Sequence, residues 1–310
     1  MTWDFPEVNP FAGAARDFGQ TAESMSRSVG TLAGTGKGVA RQLDATAPGA
    51  YQASVIVITD RPYYDNIDYA DLSDFFYVWQ RKCLGTIHPD LFSTLLTPKA
   101  QELVATPYRF DGNKDRARSF FERGLQQVFG RVCQAQHTGY PLAIYYAFKQ
   151  SESEENDENN EESPAWSAST GWETMLEALV RSGLSIAGTW PMRTERPTGV
   201  KVTFNALASS IVLVCRPRLT TAPLAPRREF LNKLKAELPL ALKNLQRGNI
   251  APVDLAQAAI GPGMAVFSSY SKVVEADGSP MTVRTALALI NQTLDEVLAE
   301  QEGEFDSDTR

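Results

Sequence analysis

Two kinds of apolar periodicity alternate along the chain. Residues 54–59 (Ser-Val-Ile-Val-Ile-Thr) run without polar alternation, as in a parallel strand covered on both faces, and residues 141–148, 184–190 and 208–216 repeat the pattern. Between them the spacing turns helical. Over residues 65–82, Tyr69, Leu72, Phe76, Trp79 and Cys83 recur on one side while Asp68, Asp71 and Asp74 mark the other, which predicts an amphipathic helix with its aromatic stripe in the core. A second helix is expected over 114–136 and a third from Thr170 through Arg181, with Gly183 closing it in a left-handed turn. Strand, helix, strand, helix, strand, strand is the order of an α/β fold: a mostly parallel sheet with helices on both faces and a hairpin-like last pair.

Outside this block the signals are weaker. The first fifty residues are rich in Gly, Ala and Ser, with a helix expected near 21–32 and a short strand near 39–43. Gly34-Thr35-Gly36-Lys37-Gly38 lacks the spacing of a phosphate loop, which needs Gly at the position of Thr31 and Ser or Thr at that of Gly38. From Arg227 the pattern is helical, with Pro239 expected to break or kink the first segment, Gly261-Pro262-Gly263 to form a turn, and 281–300 to form a further amphipathic stretch. Residues 1–218 thus read as one α/β domain and 219–310 as an appended helical region.

Charge changes the picture when it is located along the chain. Of the net charge of -7, residues 151–164 supply seven acids and no base, so the remainder balances; this acidic run reads as a disordered surface insertion. Residues 193–247 carry eleven Lys and Arg against three Glu, a stretch able to track a phosphate backbone. No apolar run approaches the roughly 20 residues of a membrane span, and the N-terminus has no basic region followed by an apolar one, so a cytoplasmic location is expected. Cys83, Cys133 and Cys215 are widely separated and read as reduced, mostly buried thiols. With only His88 and His137 beside them, the sequence argues against metal chemistry.

The chemistry is expected where the first strand pattern runs into Asp60-Arg61-Pro62-Tyr63-Tyr64, because ligands of open α/β sheets bind beyond the carboxyl ends of strands. Asp60 can accept a hydrogen bond from the exocyclic amino group of a base, the Arg61 carbonyl can accept a second, and Tyr63 can stack on the ring. Two acceptors around one nitrogen draw its lone pair out of conjugation and prime it for methyl transfer from a sulfonium donor. A base reaching such a site has left the helix stack, and aromatic faces hold it there.

These residues resemble the catalytic motif of the amino-group DNA methyltransferases, Asp/Asn/Ser-Pro-Pro-Tyr/Phe. They resemble more closely the long adenine-specific DNA methylases that carry the DUF1156 domain. In those the motif typically continues as it does here apart from Arg61, where they carry Pro: Asp60-Arg61-Pro62-Tyr63-Tyr64-Asp65-Asn66-Ile67 and Tyr69-Ala70-Asp71-Leu72-Ser73-Asp74-Phe75-Phe76-Tyr77-Val78-Trp79. The resemblance extends to Ser169-Thr170-Gly171-Trp172-Glu173, to Thr189-Trp190-Pro191-Met192-Arg193 and to residues 209–218.

The resemblance implies a Rossmann-like methyltransferase sheet that is N-terminally incomplete, and S-adenosylmethionine-dependent methylation of the adenine N6 amino group in DNA by a fragment or split subunit. Asp60 and the Arg61 carbonyl orient the amine, Pro62 shapes the turn and Tyr63 stacks. Arg61 replaces the first motif proline, which keeps the carbonyl but loses the ring that fixes φ near about -65°, so a looser clamp is implied. For the methyl donor, Asn9-Pro10-Phe11-Ala12-Gly13 has the letters of the family's Phe-x-Gly turn, giving Phe11 and Gly13. Asp44 matches the acidic position after the third strand. On this reading the chain starts after the family's first two strands, and another polypeptide supplies the missing cofactor-binding strands. The alternative is a non-catalytic DNA-binding or assembly subunit of a methylation or defence complex.

Overall fold

The computed structural model describes residues 9, 11–13, 17–32, 34, 36–60, 64, 67–146, 170–193, 209–247 and 252–303. Met1–Gln42 and Leu43–Arg310 are two compact units. In the first, Asp17 caps helix α1 (Phe18–Thr31) by accepting from the Gln20 N–H at 2.7 Å. Phe18, Met25, Val29 and Leu32 of this unit are exposed. The strand expected near 39–43 does not form; those residues are irregular and exposed.

The second unit runs β1 (Ile58–Asp60), α2 (Tyr69–Leu84), a 3-10 turn (Pro107–Phe110), α3 (Lys114–Ala135), β2 (Leu142–Tyr146), α4 (Thr170–Arg181), β3 (Leu184–Arg193) and β4 (Ser209–Pro217). It continues with β5 (Leu224–Pro226), α5 (Arg227–Arg247), α6 (Pro252–Ser269), β6 (Lys272–Val274) and α7 (Val283–Gly303). The fold is α/β. The main sheet has the order β1-β2-β4-β3, with β1 and β2 parallel and β4 antiparallel to both its neighbours. A small parallel pair, β5 with β6, brackets α5 and α6.

Residues directly opposite across a sheet share a face. Ile144, Leu213 and Thr189 therefore line one face, together with the buried Leu142, Tyr146, Cys215 and Ile186. Trp172 of α4 packs against Tyr146 there, the rings tilted by 51° with centroids 4.6 Å apart. On the same face α6 meets β3, where a Cβ on Gly261 would collide with Thr189. The α3 and α4 side chains join this core, and so do Phe230, Leu234 and Leu238 of α5 and Ile290 and Leu294 of α7. The main core lies on this face; on the other, Val212 is buried while Ile56, Ile58 and Trp190 are exposed, so the two faces are not covered alike as the sequence pattern predicts. The appended helices share the sheet's core.

Of three local signals, one keeps its usual punctuation role and two do not. Gly183 does close α4 in a left-handed turn (φ 82), its N–H reaching the Val180 carbonyl at 3.2 Å. Pro239 does not interrupt α5, and Gly261-Pro262-Gly263 is not a turn but lies within α6. The two glycines there are packing devices: a side chain on Gly263 would run into Ile290 of α7, as one on Gly261 would into Thr189.

Candidate functional site

β1 is shorter and barer than its sequence suggests. Only Ile58–Asp60 pairs as a strand, preceded by an isolated bridge from Val55 to Gln136. Val57 is buried, yet Ile56 and Ile58 are 55% and 72% exposed. The run therefore does not sit covered on both faces. Among the described residues β1 is an edge strand, and Val57 lines the face that packs into the main core. Alternation turns Ile56, Ile58 and Asp60 to the opposite face.

Asp60 stands exposed at the carboxyl end of this edge. Its register partners carry a lateral row across that face: Asp60 opposite Tyr145, Tyr145 opposite Val212, which is buried, and Val212 opposite Trp190. At about 4.8 Å per strand, Trp190 lies roughly 14 Å along the row from Asp60. Trp190 is exposed and Tyr145 half-buried, so the row presents one carboxylate and two aromatic rings. Sequence reasoning did not single out Tyr145 or Trp190 as site residues. Their alignment with Asp60 depends on β4 inserting between β2 and β3, which no local pattern encodes.

Arg61, Pro62 and Tyr63 lie outside the described residues, as do Asp65 and Asn66. The chain is firmly seated on both sides of them. The Tyr64 carbonyl accepts the Ala105 N–H at 2.6 Å, and the Tyr64 ring meets Phe121 of α3 edge-on at 5.0 Å. A dense ionic cluster then anchors the start of α2. Arg109 contacts Asp71 at 2.6 Å, Glu102 at 2.7 Å and Asp68 at 3.9 Å. Thr106 donates to Asp68, Tyr108 to Asp71, and the Ala70 N–H to Glu102. Burial works against the Arg109 charge, but its bonds to Tyr108, Asp71 and Glu102 outweigh that and hold its pKa above the ordinary value. The Tyr108 hydroxyl, then Arg109, pull the Asp71 pKa down.

One turn on, Asp74 accepts from Lys99 at 2.6 Å and from the Thr97 N–H at 2.9 Å. The Lys99 bond first, then Thr97, depresses the Asp74 pKa to about 2. Tyr77, the buried residue of α2, donates to the Thr94 carbonyl. The acidic side of α2 is thus the side that docks. Leu72, Phe76, Trp79 and Cys83 of the stripe expected in the core are exposed instead.

The residues matched to the methyl donor fall in two different units. Phe11 and Gly13 belong to the first unit, where Phe11 is exposed, its N–H bonded to the Asn9 side chain. Asp44 follows no strand. Its carboxylate accepts from the N–H and hydroxyl of Thr46, closing a local turn, and the Thr46 carbonyl accepts from Arg131 at 2.6 Å. Arg131 belongs to the last turns of α3, which ends beside the amino end of β1, where Val55 bridges Gln136. Asp60 lies at the other end of that strand. Asp44, engaged with Thr46 near the amino end of the strand, is thus not placed beside Asp60 to hold S-adenosylmethionine together with it.

The basic stretch is also partly committed. Arg218 donates to the Val180, Leu184 and Ser271 carbonyls, and burial lowers its pKa. Arg227 pairs with Glu275, Lys235 with Glu296, and Lys233 lies over the Tyr270 ring. Arg216, Arg228, Lys243 and Arg247 remain exposed. The acidic run 151–164 lies outside the described residues. No group of His, Cys, Asp and Glu among the described residues is arranged to hold a metal ion, and no described helix is long and apolar enough to cross a membrane. Comparison with family models, with curated proteins and with solved structures returned no match to this chain.

Proposed function

We propose that this chain is the amine-gripping half of a split, S-adenosylmethionine-dependent DNA methyltransferase acting on the adenine N6 amino group. The observation that carries the reading is Asp60, exposed at the carboxyl end of an edge strand and opening directly into the Arg61-Pro62-Tyr63 turn. In doubly wound sheets the ligand crevice opens between strands where the chain order reverses. A β1 with no outer neighbour among the described residues supplies one wall of such a crevice, and the parallel strands with an antiparallel last insertion agree with an incomplete Rossmann-like methyltransferase sheet.

In this reading the Asp60 carboxylate accepts one amine hydrogen and the Arg61 carbonyl the other, while Tyr63 supports the ring of an extruded adenine. The donor, when bound, supplies the methyl group. It is held by a second polypeptide that adds strands at the outer edge of β1 and covers Ile56 and Ile58. Exposed Arg216, Arg228, Lys243 and Arg247 contribute phosphate contacts.

The second reading, a DNA-binding or assembly subunit without chemistry, is favoured by Arg61 in place of proline and by Asp44 standing near the amino end of β1, away from Asp60. Calorimetric titration of the chain alone with S-adenosylmethionine should show no saturable binding, and tight stoichiometric binding would refute the split arrangement. With the completing polypeptide present, Asp60→Ala should abolish methyl transfer to DNA. Transfer that survives this substitution removes Asp60 from the chemistry.

A further inference from the structure

At about 100° per residue, Asp74, Tyr77 and Arg81 share one side of helix α2. That side is bonded to Thr97 and Lys99, to Thr94 and to Phe92 respectively. Leu72, Phe75, Phe76 and Trp79 fall within an arc of about 100° centred directly opposite. Each of the four is between 59% and 69% exposed. An apolar arc is here turned to solvent by a helix whose polar side is fully engaged, the reverse of ordinary amphipathic packing.

We propose that this arc pairs with the same arc of a second copy of the chain, the two α2 helices crossing antiparallel about a twofold axis. The area fits. The four side chains expose roughly 600 Å2, at the upper limit of what monomers leave bare, and two copies reach about the 1,200 Å2 at which stable interfaces begin. Charge selects both the partner and the direction. At the N-terminal end of α2, Asp68, Asp71 and Glu102 share the single Arg109, leaving an excess of two negative charges. At the C-terminal end Lys82 stands on the rim of the arc, 5.9 Å from the Trp79 ring. An antiparallel pair sets the acidic end of each helix against the basic end of the other, whereas a parallel pair opposes like charges. The surface is thus complementary to itself. It is distinct from the β1 edge assigned to the completing polypeptide, so the two assemblies can fail separately.

Sedimentation velocity of the full chain, from about 1 to about 100 μM, tests the proposal. The native chain should dimerise, and Phe76→Glu and Trp79→Glu should each weaken the dimer by roughly 30-fold or more with unchanged far-ultraviolet circular dichroism. A monomer throughout that range overturns the proposal, including one whose arc binds a different polypeptide. So does a dimer that persists in the folded variants. If the glutamates unfold the chain, Lys82→Glu on the exposed rim should still weaken the dimer several-fold, by about as much as added salt does. Orientation has its own readout. With the crossing centred at residue 76, the two Cys83 lie about 21 Å apart, so mild oxidation should not link them. Phe76→Cys combined with Cys83→Ser should cross-link instead. Rapid Cys83 to Cys83 linkage would overturn the antiparallel arrangement.

Discussion

Replacing Arg109 by Met removes the one cation that three carboxylates share at the start of α2. Arg109 and Glu102 are each only 13% exposed, so the substitution leaves Glu102 charged and largely out of water. Removing one partner of a buried pair costs about 3–5 kcal/mol, chiefly through the charge left behind. Asp71 is more than a third exposed, and its share is nearer about 0.5 kcal/mol. The expected loss is about 4 kcal/mol, which for a chain of this size lowers Tm by roughly 8 °C. Thermal and urea unfolding followed by circular dichroism measure it, and hydrogen exchange at the Ala70 amide, which is bonded to Glu102, reports whether α2 lifts away first. A second substitution isolates the cause. Glu102→Gln keeps an oxygen for the Ala70 N–H but removes the stranded charge, so in the Arg109→Met background it should restore about half of the loss. A loss below about 1 kcal/mol, or no recovery in the double variant, would refute the idea that this cluster seats α2 beside the Asp60 turn.

Gly261→Ala should destabilise the fold by about 1–3 kcal/mol in urea unfolding, since a methyl there overpacks the contact between α6 and Thr189 of β3; a neutral effect would mean that the two elements are not packed as described. Gly183→Ala should cost about 1–2 kcal/mol, because an L side chain is strained at its φ of 82°. Asp74, with its pKa depressed to about 2, adds stability above the ordinary carboxylate range and loses it as the pH falls from about 4 through 2. Exchange of the Thr97 amide should therefore stay protected at pH 5 and open near pH 2, with the transition abolished in Asp74→Asn.

The parts of the fold legible in the sequence are those where periodicity and burial agree. The helix expected over 114–136 is found as α3, and the one from Thr170 through Arg181 as α4, because each buries one apolar side against the sheet. The hairpin-like last pair appears as β3 and β4. Where reading and structure part, a long-range partner decides. The β-branched run before Asp60 cannot reveal that it occupies a sheet edge, since coverage depends on strands elsewhere. The α2 stripe reads as core because the bonding partners of Asp68, Asp71 and Asp74 lie roughly 25 to 40 residues further on and leave no periodic trace. Gly261-Pro262-Gly263 reads as a turn because close helix packing and turns select the same residue. Of the site, the position of Asp60 was legible, and the row through Tyr145 to Trp190 was not, because it follows from strand order alone.

The central claim is that Asp60 recognises an exocyclic amine on an unstacked base. It is tested most directly by fluorescence anisotropy with short duplexes carrying one unpaired adenine or, at the same position, a purine lacking the 6-amino group. The account predicts that the native chain prefers adenine by roughly tenfold or more, as for a hydrogen bond to a charged acceptor, and that Asp60→Ala erases the preference while leaving overall DNA affinity nearly unchanged. Equal binding of the two duplexes by the native chain, or a preference that survives Asp60→Ala, would contradict it.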